Sequence, residues 1–204
     1  MKVLLINGSP RANGCTFTAL NEVIKGLESG GVSGEIFQLG AKPVQGCIAC
    51  AKCRETGRCV FDDAANMLNS RMAEFSGIVL GSPVYYAAPN GALCALLDRL
   101  FFSSGGKMQG KPGAAVVSAR RAGTTAALDR LNKYLSISQM PIVGSQYWNM
   151  VHGNAPEEVM QDKEGMQTMR TLGRNMAWLI NCIANSGVPF PAQEEPRERT
   201  NFIR

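Results

Sequence analysis

The sequence predicts a three-layer α/β sandwich built around a parallel β-sheet. Short apolar runs that are typical of buried strands alternate along the chain with segments whose apolar residues recur at helical spacing. The run at residues 77–81 is apolar throughout, as expected for a parallel strand that is covered by helices on both faces. Because ligands of such sheets bind beyond the carboxyl ends of the strands, the loops that follow the apolar runs are the expected site.

Five strands and five helices are predicted. The strands are predicted at residues 1–6, 34–39, 77–81, 113–118 and 141–144. The helices are the segments of helical periodicity at residues 17–27, 64–75, 90–102, 124–135 and 163–184. The second helix follows Asp62 and Asp63, whose carboxylates suit the exposed N–H groups of a first turn. Several segments between and after these elements are predicted to lack regular structure. They are a cysteine-rich loop at about 42–61, loops at 82–86 and 119–123, an irregular stretch at 147–156 and a tail at about 188–204.

The composition predicts a single domain over residues 1–204. Apolar residues make up 45% of the chain and charged residues 18%, which suits a compact enzyme rather than a disordered chain. The formal net charge of +5 is mild and no long basic run appears, so no nucleic-acid partner is expected. The first apolar run is too short for a signal peptide, and no stretch of about 18 apolar residues occurs, so we expect a cytoplasmic protein with no membrane span.

The loop at residues 7–16 is rich in hydrogen-bond donors. It joins the first predicted strand to the first predicted helix, so backbone N–H groups and the positive end of a helix point at one place. Ser9 and Thr16 add hydroxyl groups, Asn13 adds an amide and Arg11 adds a full charge. The loop is neither a Walker P-loop nor a G-x-G-x-x-G loop. We expect it to bind a phosphate group, and an ordinary polar turn is the alternative.

Four of the seven cysteines crowd into thirteen positions, as Cys47-x2-Cys50-x2-Cys53-x5-Cys59. In a chain without a secretion signal, this crowding favours metal or redox chemistry over a disulfide scaffold. Three closely spaced thiolates and a fourth behind them match the ligand set of a cubane [4Fe–4S] cluster. A zinc site, a redox-active disulfide such as Cys47–Cys50 and a metal-free loop are the alternatives. The neighbouring cations would partly offset the charge of a cluster: Lys52, Arg54 and Arg58.

Three motifs together make the first 150 or so residues resemble the NADPH-dependent FMN reductase family of flavodoxin-like proteins. They are VLLINGSPR at 3–11, GSPVYY at 81–86 and LDR at 97–99. Within that family, the cysteine loop resembles the iron-sulfur flavoproteins. The resemblance implies a flavodoxin-like fold with a five-stranded parallel sheet in the order 2-1-3-4-5 and FMN bound at its edge.

The resemblance also implies which residues surround FMN. Around the phosphate these are Ser9, Arg11, Asn13 and Thr16, together with Cys15, which stands where many relatives carry Asn. Along the isoalloxazine ring they are Pro83, Val84, Tyr85 and Tyr86. At the other edge of the ring they are Ser118, Arg120 and Gly123. The two tyrosines offer flat surface with a polar end, which suits such a ring, although core packing before a helix is the alternative for this run.

We therefore expect an FMN-dependent oxidoreductase. Electrons from NAD(P)H, or from a reduced protein such as ferredoxin, would pass to a quinone, a flavin or another small acceptor, with no side chain acting as acid or base. One alternative is an iron-sulfur flavoprotein that carries electrons between partner proteins, and another is a zinc-binding or structural module. The resemblance further implies a homodimer or homotetramer, with Phe101, Phe102 and the C-terminal tail as interface candidates.

Overall fold

A parallel sheet with helices on both faces forms the centre of the computed structural model, which describes residues 1–196, 198, 200 and 202. The strands are β1 (Lys2–Asn7), β2 (Ser33–Gln38), β3 (Gly77–Tyr85), β4 (Ala88–Pro89), β5 (Gly113–Ala119) and β6 (Met150–His152). Five of them run parallel in the order β2-β1-β3-β5-β6, which confirms the predicted order. The two-residue β4 was not predicted, and it pairs antiparallel with the end of β3.

Two layers of helices cover the sheet. The helices are α1 (Cys15–Ser29), α2 (Cys53–Thr56), α3 (Ala64–Arg71), α4 (Gly91–Ser103), α5 (Thr124–Ile137), α6 (Pro156–Gln161) and α7 (Lys163–Asn185). Side chains alternate along β1, because successive residues of a strand point to opposite faces. Leu4 and Ile6 join the core under α3, α4 and α5, whereas Val3 and Leu5 join the core under α1 and α7. The predicted three-layer sandwich is confirmed.

Two glycines allow α1 and α7 to pack backbone against backbone. A Cβ atom at Gly173 would lie 2.8 Å from the Cα of Gly26 and would overlap the carbonyl oxygen of Val23. A Cβ atom at Gly26 would in turn overlap the carbonyl oxygen of Arg170. Neither helix can carry a larger residue at this crossing without moving away from its neighbour.

The fifth parallel strand was predicted at the wrong place. Within residues 141–144, Ile142 makes only an isolated bridge to Gly113, and the ladder resumes at β6, where Met150 pairs with Val117. The stretch predicted to be irregular, 147–156, therefore contains a strand and ends where α6 begins. The apolar run at 141–144 misled the prediction because the paired strand itself is only three residues long.

The segment at 82–86 was predicted to be a loop, but most of it is a continuation of β3. Ser82 and Pro83 pair with Val117 and Ser118 of β5, so the central strand is nine residues long. The chain then turns back through β4 and enters α4.

The tail after α7 follows the surface without regular structure as far as it is described. Residues 188–196 form neither helix nor strand, and Phe190 lies against Gly110. Residues 197, 199, 201, 203 and 204 of the predicted tail lie outside the described residues. In the part of the chain that the structure describes, no helix has both the length and the apolar character needed to cross a membrane.

Candidate functional site

The loop between β1 and α1 is held in place by the buried side chain of Asn7. Its Oδ1 accepts a hydrogen bond from the amide of Ser9 at 3.1 Å, and its Nδ2 donates to Oε1 of Gln38 at 2.6 Å. Gln38 then donates from Nε2 to the carbonyl oxygen of Ser9 at 2.7 Å. The end of β2 therefore fixes the loop and the direction of its N–H groups. Neither Asn7 nor Gln38 was predicted to have this role.

The first turn of α1 is open to an anion. Its N-cap residue, Gly14, has no side chain with which to cap the amides of this turn, and the turn contains no acidic residue. Arg11 and Asn13 are exposed beside it, and Ser9 is buried, with its Oγ accepting a hydrogen bond from the amide of Arg11 at 3.1 Å. The structure thus brings the predicted phosphate donors together around one helix end.

Two buried hydroxyl groups join α1 to the end of β5. The Oγ1 of Thr16 and the Oγ of Ser118 lie 2.8 Å apart in hydrogen-bond contact, and both residues are buried. Since each hydroxyl has one hydrogen, one of the two donates to the other and only the remaining one is free to donate elsewhere. The predicted phosphate loop and the predicted strand-end loop therefore meet at these two residues.

Cys15 is the first residue of α1, and its side chain is turned away from the helix end. Its Sγ donates to the carbonyl oxygen of Gly153 at 3.7 Å. Desolvation by burial raises the pKa of the Cys15 thiol, although Arg11 and the backbone act in the opposite direction. The thiol therefore stays uncharged at neutral pH, and its backbone N–H is the group that faces the helix end.

The chain reverses after β3 through a two-residue turn made of Tyr86 and Ala87. Both have left-handed backbone angles, with φ of 50° and 58°, which matches a type I′ hairpin turn. Non-glycine residues in such conformations cost about 1–3 kcal/mol each and cluster at functional sites. The side chain of Tyr86 is fully exposed and that of Tyr85 is about half exposed. The turn thus presents the predicted ring-lining tyrosines at the surface.

The loop after β5 packs directly on this hairpin turn. Gly123, with φ of 87°, lies so close that a Cβ atom there would be 2.8 Å from the Cα of Ala87 and 3.2 Å from a methyl group of Val84. Arg120, in the same loop, is exposed. Glycine is required here both for its backbone angle and for the close approach.

Asn90 ties the hairpin to the loop after β1. Its Oδ1 caps α4 by accepting from the amide of Ala92 at 2.9 Å, and its Nδ2 donates to the carbonyl oxygen of Gly8 at 2.7 Å. Its own amide donates to the Oγ of Ser82 at 2.9 Å. The loops that follow β1, β3 and β5 therefore converge at the carboxyl edge of the sheet, as the fold class predicted.

The four clustered cysteines lie around one pocket. Cys47 and Cys50 are exposed, and Cys53 and Cys59 are half-buried. The other residues that line this pocket are mainly apolar: Ile48, Ala51, Val60, Phe61, Phe102 and Arg99. Within the described ranges, no three His, Cys, Asp or Glu side chains are grouped closely enough to hold a metal ion as they stand.

The backbone on either side of Cys50 is strained. Ala49 and Ala51 both have left-handed angles, with φ of 54° and 58°. The short helix α2 then runs from Cys53 to Thr56, and its C-cap residue, Gly57, is also left-handed. Backbone strain of this kind persists only where the surrounding structure holds it, and it is found most often at functional sites.

Cys59 is anchored to α3 through its backbone. The side chain of Asn66 accepts a hydrogen bond from the amide of Cys59 at 2.8 Å and donates to its carbonyl oxygen at 2.9 Å. Asn69 donates to the carbonyl oxygen of Gly57 at 2.9 Å. Both asparagines are buried, and neither was predicted to contribute to the site. The fourth cysteine of the motif is thus placed by fixed contacts.

A buried arginine on α4 touches the same cysteine. The Nε of Arg99 donates to the Sγ of Cys59 at 3.2 Å, and its terminal nitrogens bind both oxygens of Asp63 at 2.6 and 2.7 Å. Desolvation works to raise the pKa of Asp63, but the hydrogen bonds from Arg99 and from the amide of Ala65 hold it below its usual range. A charged pair therefore lies under the cysteine loop.

The cations predicted to surround the cysteines are placed differently. Arg54 lies over the ring of Phe102, 5.4 Å from its centroid, and Arg58 pairs with Asp62 at 3.0 Å on the surface. Lys52 is exposed. The cation that bonds a cysteine is Arg99, which appeared in the sequence only as part of the LDR motif at 97–99.

The model of the protein family described as NADPH-dependent FMN reductase matches residues 1–155, which are about three quarters of the chain. The chain belongs to this family. An iron-sulfur flavoprotein of Methanocaldococcus jannaschii is 31% identical to it over 191 residues, which cover 90% of this chain and 99% of the relative. This FMN reductase family member therefore falls in the iron-sulfur flavoprotein subgroup, which confirms the resemblance drawn from the motifs.

Solved structures confirm the fold of this family member. A flavodoxin from the domain Archaea aligns with a TM-score of 0.59 at 18% identity, covering 89% of this chain and 99% of that one. An NAD(P)H:quinone oxidoreductase from Methanothermobacter marburgensis aligns with a TM-score of 0.66 at 15% identity, covering 86% of this chain and 96% of that one. At such identities the likeness shows the flavodoxin-like fold alone. Which residues contact a cofactor stays a prediction.

The Asn66 anchor can be tested without any cofactor. Replacing Asn66 by Ala removes both of its bonds to Cys59, and we expect a loss of about 1–3 kcal/mol in the free energy of unfolding. We also expect faster proteolytic cleavage within residues 42–61, measured by limited proteolysis. Asn175→Ala, which removes an exposed side-chain bond to the carbonyl oxygen of Gly144, is the matched control. Equal effects of the two changes would contradict the anchoring role.

Proposed function

We propose that this FMN reductase family member is an FMN-dependent oxidoreductase. It would move electrons from NAD(P)H, or from a reduced protein such as ferredoxin, to a quinone, a flavin or another small acceptor. The observation that carries the proposal is the meeting of three loops at the carboxyl edge of the sheet. One contact joins Thr16 to Ser118, one joins Asn90 to Gly8, and one packs Gly123 on the hairpin turn.

The phosphate of FMN fits the open first turn of α1. A dianion there is favoured by the partial positive charge of the helix end and by the exposed guanidinium of Arg11. Ser9 keeps its hydroxyl hydrogen for the phosphate, because its oxygen already accepts from the amide of Arg11. Asn13 adds a side-chain amide, Cys15 adds its backbone N–H, and Thr16 would donate its hydroxyl to the phosphate while it accepts the hydroxyl hydrogen of Ser118. Gln38 and Asn7 hold these groups in place.

The isoalloxazine ring fits the hairpin after β3 and the loop after β5. Pro83, Val84, Tyr85 and Tyr86 would lie along it, and Ser118, Arg120 and Gly123 would lie at its other edge. The fixed turn positions these groups before any ligand binds, which lowers the cost of ordering them. Because Tyr86 is fully exposed in the single chain, we propose that a second copy covers this side in a homodimer or homotetramer.

The overall reaction balances without an acid or base from the protein. NAD(P)H gives up a hydride, solvent gives a proton, and a quinone becomes a hydroquinone while NAD(P)⁺ is released. FMN, when bound, would supply the chemistry that accepts a hydride and passes on electrons. The protein binds the phosphate, orients the ring and limits the access of water.

The second candidate function is electron transfer between proteins. The observation that favours it is the set of four cysteines around one pocket, two of which, Cys47 and Cys50, are exposed. The four cysteines around one mainly apolar pocket supply the thiolate donor set of a [4Fe–4S] cluster, which Cys47, Cys50, Cys53 and Cys59 would hold. The M. jannaschii relative is named an iron-sulfur flavoprotein. A cluster near the surface would be within reach of a redox partner.

One preparation tests both candidates. Protein purified without oxygen is assayed for FMN, iron and acid-labile sulfide, and NAD(P)H oxidation is then followed with p-benzoquinone as acceptor. We expect one FMN and about four irons per chain, as a cubane requires. The matched variant is Cys59→Ser, which should keep its FMN and lose its iron.

The outcomes separate the candidates. Turnover by both the wild type and the Cys59→Ser variant supports the oxidoreductase. If reduced ferredoxin reduces the wild type but neither ferredoxin nor NAD(P)H supports turnover of p-benzoquinone, the electron carrier is supported instead. A protein that takes up no FMN would rule out both functions.

A further inference from the structure

We propose that Arg99 is a positioning residue of the iron-sulfur site, and that its hydrogen bond to the Cys59 sulfur raises the reduction potential of the cluster. The inference rests on the proposed ligation by the four cysteines and goes beyond it. Arg99 belongs to α4 and lies 40 positions along the chain from Cys59, and it would help to set the reduction potential of the cluster.

All five donors of the Arg99 guanidinium have acceptors, which fixes its orientation. Its Nε donates to Cys59, and its terminal nitrogens donate to Asp63 and to the carbonyl oxygens of Gln45 and Phe61 at 3.1 and 3.2 Å. The side chain is 1% exposed. Because Gln45 precedes the first cysteine and Phe61 follows the last, one guanidinium holds both ends of the cysteine loop.

The charges around Cys59 are unequal in their exposure. The Asp63 side chain is 38% exposed, so water screens its negative charge, whereas the Arg99 guanidinium is enclosed. Phe61 covers the guanidinium from one side, with its ring centroid 5.1 Å away. One residue that lines the cysteine pocket is therefore an enclosed, positively charged guanidinium, and it contacts the sulfur of Cys59.

Hydrogen bonds to the ligand sulfurs and nearby charge are among the factors that set the potential of an iron-sulfur cluster. Reduction adds negative charge, so a buried cation and an N–H donor at Cys59 stabilise the reduced form more than the oxidised form. Removing them should lower the potential. A purely structural Arg99 would hold the loop in place and leave the potential unchanged once iron is bound.

The test compares reduction potentials in anaerobic redox titrations followed by electron paramagnetic resonance, with iron content measured on each sample. The main variant is Arg99→Gln with Asp63→Asn, which removes both charges and keeps an amide pair in place of the ion pair. We expect at least a tenfold change in the equilibrium constant for reduction, which is about 59 mV to lower potential for a one-electron couple. Arg99→Lys keeps the charge without the planar fork and should lie between this variant and the wild type.

The control is Arg54→Gln, which removes one positive charge at an exposed residue beside Cys53 and leaves the Arg99–Asp63 pair in place. We expect Arg54→Gln to shift the reduction potential by less than a third of the shift expected for the double variant. The proposal is overturned if the double variant binds full iron at an unchanged potential, or if Arg54→Gln shifts the potential equally. Should the double variant lose its iron, an unchanged potential in Arg99→Lys overturns it.

Failure of the proposed function is recognised separately. Wild-type protein that holds FMN but no iron would remove the cluster itself before any variant is compared. The flavin potential, measured in the same samples, should be the same in all variants, because the residues proposed to bind FMN belong to other loops.

Discussion

Replacing Gly173 by Ala is expected to lower the free energy of unfolding by about 3 kcal/mol, at the upper end of typical overpacking effects. The added methyl group would overlap the carbonyl oxygen of Val23 and approach the Cα of Gly26 to 2.8 Å. Both neighbours are backbone atoms of α1, so rotating a side chain cannot relieve the overlap. The whole of α7 would have to move from α1 and open the core that it shares with β1. Chemical denaturation followed by circular dichroism measures this loss.

Gly91→Ala is the matched control, because it makes the same change in a helix where a Cβ atom meets nothing within 4 Å. Alanine is the better helix former, so this variant should be as stable as the wild type or up to about 1 kcal/mol more stable. If Gly173→Ala were as stable as Gly91→Ala, the two helices would not be held at backbone contact.

Much of the fold was predictable because buried parallel strands are apolar runs that differ from helices in period. This is why β1, β5 and the first five residues of β3 were placed correctly, together with the helices α1, α4 and α5. The two short strands escaped prediction, since a segment of two or three residues has no measurable period. The apolar run at 141–144 was preferred over β6, although only the contacts of β5 decide which of them joins the sheet.

The hairpin turn could not have been predicted from its residue types. Two-residue turns of this kind are usually built from glycine and asparagine, whereas here Tyr86 and Ala87 adopt left-handed angles. The reason lies in tertiary structure: Gly123 packs on the turn, and Asn90 binds the hairpin to the loop after β1. The sequence signal was in these partners and not in the turn itself.

The candidate metal ligands of the site were predictable from the sequence, whereas the residues that position them were not. The cysteine spacing pointed to a ligand set, because ligands that lie close in sequence leave a pattern. The contacts that position Cys59 come from Arg99 and Asn66, which lie on other elements and leave no such pattern. One signal was available for Arg99: it follows the buried Leu96 by three residues and precedes the buried Ser103 by four, so helical spacing places it on the buried face of α4. A charged residue on such a face calls for a partner.

Replacing Arg11 by Glu is expected to weaken FMN binding at least about 30-fold while leaving the fold intact. Arg11 is exposed beside the open end of α1, so its side chain carries little of the core packing. A unit charge about 4 Å from a phosphate contributes ~1 kcal/mol in water and ~4 kcal/mol near a protein surface, and charge reversal changes this term twice. Even the value for water gives a loss of ~2 kcal/mol in binding free energy on charge reversal, which corresponds to about a 30-fold increase in the dissociation constant. Fluorescence titration of flavin-free protein measures the dissociation constant.

Riboflavin, which lacks the phosphate group, supplies the decisive comparison. If Arg11 acts on the phosphate, the affinity of the Arg11→Glu variant for riboflavin should differ from that of the wild type by less than about threefold, since only a distant charge is altered. Arg174→Glu, an equal charge reversal at an exposed residue of α7, should leave both affinities near those of the wild type. Equal losses for FMN and riboflavin would mean that Arg11 does not face the phosphate. The flavin would then have to bind elsewhere, or in another orientation, and the open end of α1 would no longer identify the cofactor site.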